Sequence, residues 1–350
     1  MSRDLFKTIT LNEEINLVNL KMIINNYDDL APFLTRDFDN RNRKGKGEED
    51  QAFRTYDIIT LKGILEKFYK KKLKSNLQTY HYSKSGNGRL FSKEWSLQGI
   101  GREIRHTISK GIYYDIDIKN AHPVFLLDYC KKKNIKTEWL DFYVNNRDKC
   151  LKEVNDILKY NEVKFDAKTL FLCLINGGKR GFIKDNQNIL PEYVYMFSNE
   201  LDDIVSIICE KYETELYEKN KIIKGKDYYN IKSSTLNKLL CILENETLQC
   251  MVEFLGQDHI GALVFDGLML YITGIEDVNV VLRNLEDNIK NKLDMTLTLT
   301  EKPFELALDL SKYDIEHYKK LVETDKLNID DDDDDIPETD ESIGLFILKK

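Results

Sequence analysis

Two short apolar runs, Ala262–Phe265 and Leu268–Ile272, are separated by a single Asp266-Gly267 pair, and this constrains the chain more than any other feature. Asp-Gly between alternating apolar residues is a strong hairpin signal, because both residues tolerate the backbone of a tight turn. A lone hairpin is marginal in water, so the sequence must supply further strands. Ile112 to Ile118 reads as one and Met295–Thr300 as another, with a helix from about Glu276 to Lys292 before the latter. After Pro123 comes a helix, Val124 to Lys133, and residues 164–175 and 188–256 are dominated by helical periodicity. Strand, long helical insertion, hairpin, helix, strand: this order predicts an α+β fold, an antiparallel sheet backed by helices with a helical subdomain inserted.

The flanks are less patterned. Residues 1–54 are polar and mixed, with a flexible stretch expected at Arg41–Asp50. Ile58, Leu61, Ile64, Leu65 and Phe68 fall at helical spacing, with lysines on the other face. From Tyr80 to Ser92 a Ser/Gly-rich loop is expected. Residues 325–341 contain a run of six aspartates, expected to be disordered, followed by the apolar patch Leu345-Phe346-Ile347-Leu348.

Charge is divided unevenly along the 350 residues. Of the net −8, residues 325–350 carry −7, from ten acidic and three basic side chains, so the remaining body is near neutral at about −1. It has two basic runs, Arg41 to Lys46 and Lys67 to Lys74. Taken alone, such runs are more often solvated faces than binding sites. The six cysteines show no C-x-x-C spacing and the five histidines no H-x-x-x-H, which argues against zinc and disulfides and for reduced thiols. No apolar run approaches the ~20 residues of a membrane span, and the N-terminus lacks a secretory core. An intracellular protein without a membrane partner is expected.

Three segments carry candidate chemistry. In Tyr113-Tyr-Asp-Ile-Asp-Ile118, Asp115 and Asp117 lie two apart on a strand and so share a face. Asp266 lies at a turn between buried strands, where an ionised carboxylate is costly unless paired or metal-bound. Magnesium takes one or two protein carboxylates plus substrate phosphates, and two such ions can clamp an in-line displacement. Asp-Gly is most often only a turn, however, and Asp-x-Asp alone is equally weak. In the third segment, Lys164, Lys168, Leu172 and Asn176 recur at steps of four before Gly177-Gly178. Either this is a surface helix with snorkelling lysines, or it lays its cations along a triphosphate.

The order of segments adds what no single motif gives. Gly88-Arg89-Leu-Phe-Ser92, Ser96-Leu97-Gln98, Gly101-Arg102-Glu-Ile-Arg105 and the aspartate strand together resemble the run through motif A of family A DNA polymerases. Lys164, Lys168, Asn176 and Gly177 are similar to the motif B helix, and Phe265-Asp266-Gly267 to motif C. The resemblance spans roughly residues 82–304 and is closest to the divergent transposon–virus polymerases. It implies a palm with an inserted fingers subdomain over 81–310, a reduced, helical, thumb-like region over 1–80 and a helix end with an acidic tail over 311–350.

Carried over by position, Asp117 and Asp266 would bind two Mg2+ (or Mn2+) ions, with Asp115 as an auxiliary ligand. Lys168, aided by Lys164, would neutralise the phosphates of a nucleoside triphosphate; Asn176 and His122 would lie at the nucleotide, His122 excluding a ribose 2′-hydroxyl. Arg89, Gln98, Arg102 and Arg105 would contact primer–template nucleic acid. The implied activity is a template-directed DNA polymerase of a virus or mobile element, in the host cytoplasm or nucleus, with a helicase or processivity factor docking on the C-terminal tail. An RNA polymerase or primase-like enzyme of the same fold is the close alternative, and a catalytically decayed replication accessory protein a third. Departures from the family are Asn176 for a tyrosine, Gly267 for an acidic residue and Phe265 for a histidine.

Overall fold

The computed structural model describes residues 6–34, 49–82, 88–225 and 230–328, with side chains described outside 49–60. The Arg41–Lys46 run, the aspartate run and the terminal apolar patch lie outside the described residues. Apart from short helical turns, the elements in chain order begin with β1 (Thr8–Asn12), α1 (Leu17–Asn25), α2 (Glu49–Lys74), β2 (Leu77–Tyr82) and β3 (Leu90–Ser92). Then come α3 (Arg102–Ser109), β4 (Tyr113–Ile118), α4 (Ala121–Lys132), α5 (Glu138–Asn145), α6 (Arg147–Tyr160) and α7 (Ala167–Ile175). The last part comprises α8 (Glu192–Ile207), α9 (Thr214–Lys224), α10 (Ile231–Leu255), β5 (Ile260–Val264), β6 (Gly267–Tyr271), α11 (Val278–Leu293), β7 (Leu299–Lys302) and α12 (Ile315–Leu327).

The expected hairpin forms one residue early. β5 ends at Val264 and β6 begins at Gly267, so the turn is Phe265-Asp266. Phe265 accepts a left-handed φ of 57°, uncommon for a bulky residue. Gly267 enters the ladder opposite Asp117, where a Cβ would lie 2.2 Å from the Ile116 carbonyl oxygen. This close approach, not turn conformation, is what requires glycine at 267.

The α+β class and the antiparallel sheet hold. The central sheet has strand order β5-β6-β4-β7, every pair antiparallel. β7 begins at Leu299, later than expected, while Met295 and Leu297 are buried just ahead of it. Alternation divides the sheet between two cores. Ile116, Ile118, Leu263, Leu268 and Leu270 face the larger core, shared with α4, α7, α8, α10 and α11. Tyr113, Ala262, Val264 and Met269 face the smaller one, shared with α1, α2, α3 and α12. Asp115 and Asp117 alternate in step with Tyr113 and so lie on the side of the smaller core.

The region 1–80 is not purely helical. β1 and β2 pair antiparallel and β2 pairs with β3, giving a second sheet. The loop expected from Tyr80 to Ser92 therefore has a strand at each end. The basic run on α2 is also partly consumed internally. Lys72 is buried, with Nζ 3.0 Å from Glu13 Oε1 and donating to the Glu13 carbonyl at 2.7 Å. Tyr80 Oη and the Leu97 amide donate to the other Glu13 oxygen. Lys71 donates to Gln78 and pairs with Glu94 at 2.8 Å, while Lys67, Lys70 and Lys74 are exposed.

α1 and α2 meet α12 across the smaller core. Asn26 Nδ2 donates to Tyr318 Oη at 2.8 Å, and Lys21 pairs with Asp325 at 2.7 Å, which also accepts from Tyr69 Oη. Among the described residues no helix is long and apolar enough to cross a membrane.

Candidate phosphate-handling site

β4 and β6 bring the predicted carboxylates together. Asp117 stands opposite Gly267 in the ladder, and the Ile118 amide donates to the Asp266 carbonyl at 3.2 Å. Asp115 lies opposite Met269 on one side and Lys302 on the other. Lys302 Nζ forms an ion pair with Asp117 Oδ2. Burial, then the charge of Asp266, pushes the Asp117 carboxyl up to about 7, against the pull of Lys302. Asp266 is raised by burial and then by Glu244, and Asp115 by burial, with Arg105 opposing. Three carboxylates thus share one partly dry place, each held above its ordinary range first by burial. Among the described residues, no three His, Cys, Asp or Glu side chains form a ready-made metal cage. The donor set fits a divalent cation held by two carboxylates and completed by ligand phosphates, the usual habit of magnesium.

Arg105 lies behind this pair, buried, with Nη1 donating to the Leu97 carbonyl at 3.3 Å and Nε without a partner among the described residues. Its charge acts on Asp115 and Asp117 from inside the protein. Gln98 is likewise buried. Its Oε1 accepts from the Ser92 amide at 3.0 Å, and its Nε2 donates to the carbonyls of Leu90 at 3.0 Å and Leu263 at 3.1 Å. The amide ties β3 to β5, so direct contact with nucleic acid by Gln98 or Arg105 is corrected to internal support of the site. Arg102 is exposed.

A second cluster adjoins Asp266. Arg89 Nε and Nη2 donate to the two oxygens of Glu244, at 2.5 and 2.7 Å, and His122 Nε2 lies 3.2 Å from Glu244 Oε2. The guanidinium carbon of Arg89 sits 5.3 Å from the ring centroid of Phe265. Burial lowers the His122 pKa, but bonds to Cys241 and Glu244 outweigh it and hold the ring at about 9. Glu244, buried though it is, stays below the usual carboxylate range through Arg89 and His122.

Lys164 and Lys168 do not share a helical face. Asp166 caps α7, its Oδ1 accepting from the Thr169 amide at 2.6 Å, so the helix starts at Ala167 and Lys164 precedes it. Both lysines are exposed, and no described contact joins them to the aspartates. Asn176 caps its own helix end by donating to the Leu172 carbonyl, and its Oδ1 accepts from Asn237 at 2.7 Å.

Glu244 and Lys302 were not among the residues expected here. Glu244 had a signal: it interrupts the stripe Leu236, Leu240, Leu248, Val252 at steps of four, all buried. Lys302 had none, since its partner depends on β7 pairing with β4.

A comparison with curated proteins finds one similar to this chain. Over 248 residues, 68% of this chain, it is 32% identical to the protein named "Putative helicase V13" of Sputnik virophage. The chain spans only about 30% of that relative's own length. No family model matches the chain, and no solved structure matches it. The expectation of a DNA-directed DNA polymerase is therefore corrected: the similar protein is named a helicase, not a polymerase. Nor does any matching structure lend support to a palm, fingers and thumb.

Proposed function

We propose that this chain is a nucleic-acid-engaging part of a helicase-type viral protein, handling phosphate groups at the Asp117–Asp266 pair with a divalent cation. The viral, helicase-type element of this reading comes from the virophage relative. The observation that carries the phosphate-handling element is the juxtaposition of Asp117, on β4, with Asp266, in the turn that leads into β6, both of them half-buried. Both carboxylates would hold the cation, with Asp115 behind them. A bound divalent ion would neutralise phosphate charge and fix a phosphate oxygen in place.

The chain's own residues do the rest. Arg105, locked by Leu97, keeps Asp115 and Asp117 from repelling each other fully. Gly267 lets β6 approach β4 closely enough for the carboxylates to share one place. Lys302, half exposed, covers the pair until a ligand arrives. The sequence carries no G-x-x-x-x-G-K-[ST], so the phosphate chemistry this chain offers is that of carboxylates and arginine rather than of a glycine-rich loop.

The test is binding of a tailed DNA duplex to the full chain with Mg2+ or with EDTA, together with strand separation on addition of ATP. Binding that requires Mg2+ and is lost in Asp117→Asn and Asp266→Asn supports the proposal. Binding indifferent to metal and to both substitutions overturns the carboxylate part. Strand separation by the chain alone would place unwinding within this part of the protein.

A further inference from the structure

Glu244 is a charge where a leucine would serve the core at least as well, as at Leu240 and Leu248 one turn to either side. Its side chain is 1% exposed, whereas those of its partners Arg89 and His122 keep 20% and 11%. The cluster therefore hides its anion more completely than its two cations. With arginine always charged and the His122 ring ionised below about pH 9, two positive groups share Glu244, and Asp266 beside them also feels the charge of Arg89. Buried ion pairs often stabilise no more than apolar residues of the same size. The charge at 244 calls for a role in arranging the cations.

The geometry is consistent with such a role. Glu244 takes Arg89 Nε and Nη2, which fixes the guanidinium plane, and Phe265 packs on its face. No described residue hydrogen-bonds the remaining Nη1. Phe265 directly precedes Asp266, so this edge borders the carboxylate pair. The oxygens of a phosphate group are acceptors that an arginine guanidinium and an imidazolium suit well.

We infer that Glu244 is a positioning residue, holding Arg89 and His122 as one phosphate-contacting edge beside Asp266. The inference rests on the phosphate-handling reading above and extends it to a second contact on the same ligand. The phosphate belongs either to a nucleic-acid backbone or to a nucleoside triphosphate, and the two are separable by experiment.

Fluorescence anisotropy would follow a labelled single-stranded DNA, with ATP as competitor, over a range of NaCl in Mg2+. Wild type would be compared with Glu244→Gln, Arg89→Gln, Arg89→Lys and His122→Gln, with melting temperatures measured alongside. Expected is a loss of about tenfold in affinity for Glu244→Gln and Arg89→Gln, with the salt slope for single-stranded DNA shallower by ~0.7 per lost contact. Arg89→Lys should retain the slope but not the affinity, since it keeps the charge without the fork. If instead ATP competition is what these variants lose, the phosphate is that of the nucleotide. Lower melting temperatures with affinity and slope unchanged would make Glu244 merely structural and overturn the inference. The partly exposed Arg89 variants keep this test available if Glu244→Gln does not fold. Absence of binding by wild type overturns the phosphate-handling reading as well, whereas wild-type binding with unaffected variants overturns this inference alone.

Discussion

Lys302 reaches across from β7 to form an ion pair with Asp117 on the neighbouring strand, directly beside the Asp266 turn. The ammonium lies where the carboxylates most need positive charge. Lys302→Ala should lower stability by about 1 kcal/mol in metal-free buffer and make the chain more responsive to metal. Thermal melting with and without MgCl2 or MnCl2 checks this. A larger metal-induced rise in Tm for the variant is expected; equal rises would show that Lys302 and the cation do not compete.

Gly267 allows no side chain. The Cβ of Gly267→Ala would lie 2.2 Å from the Ile116 carbonyl oxygen, an atom of the β4 backbone that cannot rotate away. The expected cost is roughly 3 kcal/mol or more, with loss of metal-dependent binding as β6 is forced from β4. Urea unfolding measures the first and anisotropy the second. A variant of wild-type stability would refute the close approach.

The Glu13–Lys72 pair should show strong coupling. Lys72→Met leaves a buried carboxylate without its cation, costing about 3–5 kcal/mol, whereas adding Glu13→Leu should recover much of that loss. A double-mutant cycle by chemical denaturation decides it, and additive losses would argue against a buried pair.

His106 should make the fold acid-sensitive. Burial, then the charges of Arg105 and Arg102, lowers its pKa to about 4, with Glu103 opposing and Lys302 adding slightly. Its Nδ1 accepts from the Leu306 amide at 3.3 Å, a bond that the neutral ring provides. The unfolded ring protonates near 6.5 and the folded one only near 4, so the His106 contribution is complete above pH 6.5 and is lost as pH falls toward 4. Tm measured over that window should fall by several degrees in the wild type and less in His106→Asn. Parallel curves would assign the acid sensitivity elsewhere.

The sheet and the carboxylates that it gathers were legible because their signals are local. Apolar alternation marked β4, and Asp-Gly marked the hairpin to within one residue. The exact turn was not legible, because Phe265 adopts a backbone conformation that its residue type disfavours and Gly267 is fixed by a neighbouring strand. β1 was missed because its pairing partner lies some seventy residues away, as Ile9 and Tyr80 show. Lys164 and Lys168 were joined by counting steps of four, but Asp166 starts the helix between them. Gln98 and Arg105 were expected as nucleic-acid contacts from the resemblance; only tertiary packing reveals that both are buried. Function depended least on local pattern: resemblance pointed to polymerization, whereas the similar virophage protein is named a helicase.

The left-handed backbone at Phe265 also has an evolutionary consequence. Glycine would relieve the turn by about 1 kcal/mol or so, yet it would remove the ring on which Arg89 rests. Selection for thermal tolerance alone would therefore favour glycine here, while selection for ligand engagement would keep the aromatic ring, so the residue found at 265 in other copies of this chain should record which pressure prevailed.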